Sequence, residues 1–532
     1  METFDCILIH PPKMNNRYKP LGPTMYVKYM PIGLLALADN LDRNGHRAQV
    51  IHLGVEYVED RKNDVIDYIK KTRSPVVGIS LHWHPQSYDA IEFARALKQR
   101  APEIYVVLGG LSASWFAGEI MEKFPFINGV IRGDGELPIV NLVAEIKKNN
   151  ADLSGIPNLV WRRNGLDTFN DLSYVADQRD IDDLNCFRFE LMKNSRTYID
   201  IFGRSAANYM ILGSKKLNTM RRKTSSVVLP IARGCSVNCT WCGGSQKAHW
   251  SISGRREYLF RSPDRIVDDI RSVMQSGFGF IHFVHYADPE DTVYYVALFK
   301  KIREVGIRIG AFFECSALPT KELIDSFSET FSETENRTMC LSRIVPNETV
   351  RKTHAGNPYT NDELFATLAY LRDKNVLTEL TFTIGMPGEN EDDVPKLVAF
   401  RKEILQKFSN IKSSVVLTNQ IEPGAAWLLN PDEFRIKTEL NTFSDFYTFN
   451  KTPNSYYTHL GYRILGYFKN KKCDTFETFR RRIQKIRCRR FCLMSGNSTW
   501  PGANSVGRFK CQIMAVLWTI LGFLRKARPL SH

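Results

Sequence analysis

The chain has 532 residues, 43% hydrophobic and 24% charged, a globular balance that excludes a disordered or fibrous molecule and leaves room for two or three domains. Its net charge of +15 is local: from Leu460 onward sixteen Lys and Arg face only Asp474 and Glu477, so that segment carries +14 and the remainder +1. A whole-protein nucleic-acid binder is therefore not expected. Eleven scattered cysteines and an N-terminus without a signal pattern suit the reducing cytoplasm, not a disulfide scaffold.

In residues 1–150, short apolar runs alternate with amphipathic stretches. CILIH, RAQVIHL, VVGISL, IYVVLGG and NGVIRG read as strands, and IGLLALADNLDRNGH and SYDAIEFARALKQRAP as helices. This α/β pattern predicts a doubly wound parallel sheet, in which ligands sit at the carboxyl ends of the strands. The residues at those ends are Pro12, Ser80, His82, Gly109, Gly110, Ser112, Gly133 and Glu136. Tight strand-to-helix turns would use the same glycines, but four such ends together point to a ligand.

Residues 151–225 are a partly polar linker region without clear periodicity. From Ser226 to about 445 a second series follows: SVVLPIARGC, FGFIHFVHYAD, IRIGAFFECSA, NRTMCLSR, LTELTFTIGMPGE and SSVVLTNQIEPG, with helical patterns between them. Six βα units are too few for a closed eight-fold barrel and predict an open one, with functional groups at the strand C-terminal ends. Residues 446–532 form a basic C-terminal region. It contains FRRRIQKIRCRRF, the loosely spaced Cys473, Cys488 and Cys492, and the fourteen-residue apolar run CQIMAVLWTILGFL. That run falls short of the roughly 20 residues a bilayer span needs, so it is either a core helix or an interfacial one.

The most specific signal is IARGCSVNCTWCGGS. Cys235, Cys239 and Cys242, spaced C-x3-C-x2-C, directly follow the first strand of the second series. Three thiolates at this spacing can hold three irons of a [4Fe–4S] cubane and leave the fourth open. The competing reading is a zinc site completed by His249.

This arrangement resembles the radical S-adenosylmethionine (SAM) superfamily, with the three cysteines where its cluster ligands stand. The resemblance extends to KTHAGNPYTNDELFATLAYLRDKNV, to IGMPGE and to IEPGAAW. It implies SAM contacts at Gly243, Gly244, Glu314, Ser342, Gly385, Pro387 and Gly388. The family's Glu-Ser pair near the fourth strand is Leu341-Ser342 here, and His285-Tyr286-Ala287-Asp288 stands where others carry an acidic pair.

Placed before such a domain, the first 150 residues resemble the cobalamin-binding domain of the cobalamin-dependent radical SAM class, through HPP, MPIGLLALADNLDRNGH, VVGISL, VVLGGLSAS and GVIRGDGELP. An Asp-x-His-x-x-Gly motif is absent, since His52 has Val50 where the aspartate would stand. His82 and His84 in SLHWHPQS are placed near the expected corrin face. The resemblance implies three cofactors, a [4Fe–4S] cluster, SAM and cobalamin, and methyl transfer from SAM by way of cobalamin to an unactivated carbon. The alternatives are radical cyclisation or rearrangement without methyl transfer, and a non-catalytic iron–sulfur or cobalamin sensor. The implied partners are a small-molecule or lipid-like substrate, an electron donor such as flavodoxin or ferredoxin, and peripheral membrane contact through the C-terminal region.

Overall fold

The computed structural model describes residues 2–12, 30–60, 62–148, 150–163, 165–202, 226–331, 337–356, 359–451 and 462–464. Met1–Lys471 forms one compact unit that holds two large sheets.

The first sheet has strands β1 (Cys6–His10), β2 (Ala48–His52), β3 (Val76–Ser80), β4 (Tyr105–Gly109), β5 (Gly129–Ile131), β6 (Leu159–Arg163) and β7 (Leu166–Phe169), in the order β2-β1-β3-β4-β5-β6-β7. The first five run parallel, and β6 and β7 add as antiparallel neighbours. Helices cover the parallel strands, so those strands are mostly apolar and Ile7, Ile9, Val77 and Val106 are sealed from solvent. The helix Ile32–Arg43 buries Leu35, Ala38 and Leu41 at helical spacing.

The segment read as an unpatterned linker is part of this domain. Besides β6 and β7, Arg188 reaches back to Asp39 (3.2 Å) and Asp42 (2.7 Å), and Lys193 pairs with buried Glu56. Met192 bridges to Val50 at the sheet edge.

After Ser226 come β8 (Ser226–Leu229), the short antiparallel pair β9 (Ala232–Arg233) and β10 (Leu259–Phe260), then β11 (Phe280–Tyr286), β12 (Gly310–Cys315), β13 (Arg337–Ile344), β14 (Leu377–Thr383) and β15 (Ile411–Leu417). β8 and β11–β15 form a six-stranded parallel sheet in chain order, the open half-barrel expected from the repeated βα pattern. Its helices seat an aromatic cluster in which Tyr295 and Phe313 lie 4.7 Å apart, Phe283 and Phe299 5.6 Å, and Phe299 and Phe331 5.4 Å. Each such ring contributes about 1.5–3 kcal/mol through burial.

A third pair, β16 (Ile436–Thr438) and β17 (Tyr462–Ile464), closes the described chain. Between them the helix Phe443–Lys451 returns to the first domain. Phe443 and Phe446 pack on Phe116 at 5.6 and 5.7 Å, Tyr447 donates to Glu92 (2.7 Å), and Glu119 accepts from the Phe443 amide (2.7 Å). A boundary at 446 therefore cuts through an element of the compact unit. The apolar run and late cysteines of the C-terminal region lie outside the described residues. Among the described residues no helix is long and apolar enough to cross a membrane.

Candidate active site

The cysteine loop leaves the barrel through β9. Gly234 takes φ +90, and a Cβ there would lie 2.8 Å from the Glu257 carbonyl oxygen, so only glycine admits the turn into Cys235. The three cysteines form no disulfide. Cys239 is buried, and Cys235 and Cys242 are half-buried. Backbone amides point at sulfur: Val237 N lies 3.4 Å from Cys235 Sγ, and Gly244 N lies 3.3 Å from Cys242 Sγ. Cys239 Sγ approaches the Ala355 carbonyl at 3.3 Å and receives Arg343 Nη1 at 2.7 Å.

Burial pushes the Cys242 thiol up to about 12, with Glu422 adding to the rise and Arg343 opposing it. Such thiols shed their protons when iron binds. Among the described residues no three His, Cys, Asp or Glu side chains gather round a single metal position, as a tetrahedral zinc would require. A cubane spreads its three thiolates over three irons, so its ligands need not converge on a single point.

The loop is clasped from behind by the segment after β13. His354 Nδ1 lies 2.9 Å from Thr240 Oγ1, the Thr240 amide donates to the His354 carbonyl (3.0 Å), and the ring also bonds the Pro387 carbonyl. Gly356, at φ +69, lies so close to Val237 that an added Cβ would stand 2.5 Å from its side chain. One histidine thus ties the cysteine loop to the Gly385–Gly388 turn. Gly385 (φ +83) and Gly388 (φ +88) take left-handed conformations. The Glu389 carboxylate closes the turn by accepting from the Gly385 and Met386 amides, both at 2.8 Å. Burial raises that carboxyl to about 7.

The remaining residues that the sequence resemblance assigned to SAM lie at or just beyond the same ends of the strands. Gly243 N donates to Glu422 Oε2 (2.8 Å), and a Cβ on Gly243 would meet the Pro423 carbonyl oxygen at 2.3 Å. Glu422, from the IEPG turn, is raised to about 7 by burial. Glu314 sits 3.6 Å from His282 Nε2, and that contact holds its carboxyl low. Ser342 Oγ donates to the Cys315 carbonyl (3.2 Å). Asp288 caps the short turn Pro289–Asp291 through the Glu290 amide.

At the first domain's strand ends, the loop after β3 is held by Gln86, whose Oε1 accepts from the His82 (3.0 Å) and Trp83 (3.2 Å) amides and whose Nε2 donates to Pro11 O (3.1 Å), beside Pro12. Gly110 takes φ +112, and a Cβ there would stand 2.6 Å from His82 Cα, so the position admits only glycine. Ser112 donates through both N (3.1 Å) and Oγ (3.2 Å) to the His82 carbonyl. Ser80 is half-buried, and a Cβ added to Gly109 would meet nothing nearer than the Ile131 carbonyl oxygen at 3.9 Å, so both stay open toward this end. The His82 side chain itself is exposed on this loop.

Two expectations on this side change, those for His84 and for Gly133 with Glu136. His84 does not face a corrin: it is 3% exposed and bonded to Asn450 of the returning helix, which donates 2.8 Å to its carbonyl. His52 is a helix cap, its Nδ1 accepting from the Gly54 amide at 3.1 Å. Gly133 and Glu136 stand at the domain junction. Gly133, at φ +65, abuts Ser253, where a Cβ would lie 2.9 Å from the serine Cβ. Glu136 and Asp134 both bind Arg233, each at 2.7 Å, and Asp134 also binds Arg255 at 2.6 Å. Arg233 is two residues before Cys235, so the first domain's acids grip the base of the cysteine loop.

The two domains meet again at the far side of that loop. A Cβ placed on Gly244 would lie 3.4 Å from Trp83 and 3.7 Å from Cys242 Sγ. Trp83 is 39% exposed, an uncovered indole between the two sets of strand ends. Reading motifs alone missed Trp83, Arg233, Arg343, His354 and Glu422. Four of these lie within or beside quoted motifs, whereas the signal for Arg343 was only its place after Ser342.

Residues 229–401 match the profile of the Radical SAM superfamily, and residues 18–143 that of the B12 binding domain. The hopanoid C-3 methylase of Methylococcus capsulatus is 26% identical over 263 residues, 48% of this chain and 43% of that one. The anaerobic magnesium-protoporphyrin IX monomethyl ester cyclase of Rubrivivax gelatinosus is 22% identical over 73% of this chain and 63% of its own length. The match thus spans less than two thirds of either relative. A solved structure of TsrM from Kitasatospora setae, a radical S-adenosylmethionine methyltransferase with cobalamin and a [4Fe–4S] cluster bound, shares the fold. Its TM-score is 0.61 at 15% identity, over 83% of this chain and 81% of that one.

Proposed function

We propose that this chain, which belongs to the cobalamin-dependent radical SAM enzymes, is a methyltransferase that moves a methyl group from SAM to an unactivated carbon of a small-molecule substrate. The cofactors of the family are a [4Fe–4S] cluster, SAM and cobalamin. When bound, the cluster with SAM supplies hydrogen abstraction from carbon and the cobalamin supplies methyl donation.

In this reading Cys235, Cys239 and Cys242 hold the cluster, with the amides of Val237 and Gly244 bonded to its thiolates. The backbone of Gly243, Gly244 and Gly385–Gly388 receives SAM, with Glu314 and Ser342 at the neighbouring strand ends. Pro12, Ser80, His82, Gly109, Gly110 and Ser112 form the cobalamin side. Positioning is the protein's main contribution, because three reactants must meet in a dry site.

The observation that carries the proposal is the approach of Trp83 to Gly244, the residue that follows Cys242 by two positions in the cysteine loop. It sets the first domain's ligand loop against the cysteine loop, so a substrate between them would face both cofactors. The methylase relative supports methyl transfer, and the cyclase relative favours a second reading, radical cyclisation without it.

The two readings differ in their products. Anaerobically reconstituted protein with its substrate, a one-electron donor of the flavodoxin or ferredoxin class and methyl-labelled SAM should yield both 5′-deoxyadenosine and S-adenosylhomocysteine, with label in the substrate. 5′-Deoxyadenosine without S-adenosylhomocysteine would replace methyl transfer by cyclisation. Neither product would leave a sensor.

A further inference from the structure

Arg343 occupies an unusual place. It lies on β13 where the register against β14 shifts between Leu341 and Ile344, and its φ is +61. Non-glycine residues are rare in that left-handed region, and the surrounding structure must hold this one there. Ser342, bonded to the Cys315 carbonyl, and Ile344, fully buried, fix the backbone on either side. The result is a side chain directed at the cysteine loop, with Nη1 2.7 Å from Cys239 Sγ.

The other arginines around the site are matched to carboxylates: Arg233 to Asp134 and Glu136, Arg255 to Asp134, and Arg261 to Asp269. Among the described residues Arg343 has no such ion pair, and its hydrogen bond goes to sulfur. Burial opposes its charge, while Cys239, Cys242, Cys235 and then Glu314 sustain it, in that order. A delocalised cation without an ion-paired carboxylate among the described residues, bonded to one of the three thiols and in the electrostatic field of the other two, is suited to a cluster that gains negative charge.

We infer that Arg343 is a positioning residue for electron entry: its guanidinium, bonded to the Cys239 thiolate, stabilises the reduced cluster and makes its one-electron reduction easier. The inference rests on the reading that the three cysteines hold a [4Fe–4S] cluster. The step is one electron from a one-electron donor; no proton moves, no bond breaks, and the cluster's total charge falls by one. Potentials of such clusters are set by net charge and by hydrogen bonds to the sulfurs, and one fixed positive charge supplies both.

The test is a potentiometric titration of the full reconstituted chain, with the reduced cluster followed by electron paramagnetic resonance, for wild type, R343M and R343K. At the wild-type midpoint, R343M should be reduced about tenfold less favourably, a shift of about 59 mV for one electron. R343K, which keeps the charge but loses the fork, should move less than R343M. An R343M midpoint equal to wild type, or R343K displaced as far as R343M, would overturn the inference, since a merely structural role would not separate the two variants. If R343M takes up no cluster, R343K decides: iron retained with a near-wild-type midpoint supports the role of charge, and iron lost in both overturns it. No cubane signal in the wild type would instead remove the cofactor assignment beneath it.

Discussion

Removing the Asp134 carboxylate tests whether the first domain holds the base of the cysteine loop. Asp134 is 6% exposed and accepts from Arg233 at 2.7 Å, from Arg255 at 2.6 Å and from the Ala176 amide at 3.0 Å. Asp134→Ala strands Arg255, itself 2% exposed, with the Ala176 carbonyl as its one remaining hydrogen-bond partner among the described residues. Breaking a buried pair by deleting one partner costs about 3–5 kcal/mol. Glu136→Ala should cost less, about 1–2 kcal/mol, because Arg233 keeps Asp134.

The assay is hydrogen–deuterium exchange of the peptide covering residues 231–245 in the intact protein. Asp134→Ala should raise exchange there by about 10²-fold to a few thousand-fold and Glu136→Ala by about tenfold, at 1.4 kcal/mol per decade. Replacing the orphaned cation as well, in Asp134→Ala/Arg255→Met, should recover part of the loss. Burial pushes the Asp134 carboxyl up, but Arg233 and Arg255 outweigh it and hold it below its ordinary value. A lowered carboxylate contributes stability above its unfolded pKa and loses it as pH falls, so the difference between wild type and Asp134→Ala should shrink below about pH 4. Equal exchange in the two single variants would refute the clamp.

Three further outcomes are expected. Gly243→Ala sets a Cβ against the Pro423 carbonyl oxygen, a backbone atom that cannot swing away; such overpacking costs about 1–3 kcal/mol or more, and iron uptake should fall while cobalamin uptake holds. Substituting Cys235, Cys239 and Cys242 together by Ala should abolish cluster absorbance and leave cobalamin bound; retained absorbance would contradict the ligand assignment. Glu389, raised by burial to about 7, favours folding when protonated, so its contribution is present at low pH and declines as pH rises from about 4.5 toward 7. Glu389→Gln should flatten denaturant stability across that window by about 2–3 kcal/mol, and an unchanged slope would place the titration elsewhere.

The strands were legible because each is a short apolar run with a glycine, proline or charge at its end, and the half-barrel followed from six of them in series. The cysteine motif was legible because its spacing is local. The hairpin β6–β7 was overlooked although Asn164-Gly165 separates LVWRR from LDTF, a strong turn signal. Mixed polar composition hid it, since Leu166 and Phe169 face outward on an edge strand.

What could not be read was pairing across the chain. Glu136 and Arg233 are 97 positions apart, and a buried carboxylate at a strand end looks the same whether it meets a ligand or an arginine. His84 was misjudged for the same reason, its partner Asn450 being 366 positions away. Arg343 carries no local pattern at all, because its role comes from a left-handed backbone at a sheet irregularity.

The helix Phe443–Lys451 has a consequence for how the molecule is made. It covers Phe116 and Phe124 of the first domain, yet it is synthesised roughly 300 residues after β5 completes the parallel strands. At about 5–20 residues per second, a nascent first domain would carry that aromatic face uncovered for about 15–60 s. Its sheet can form early, but its surface is finished only by a segment not yet translated, so that interval is when the domain is most exposed to wrong partners.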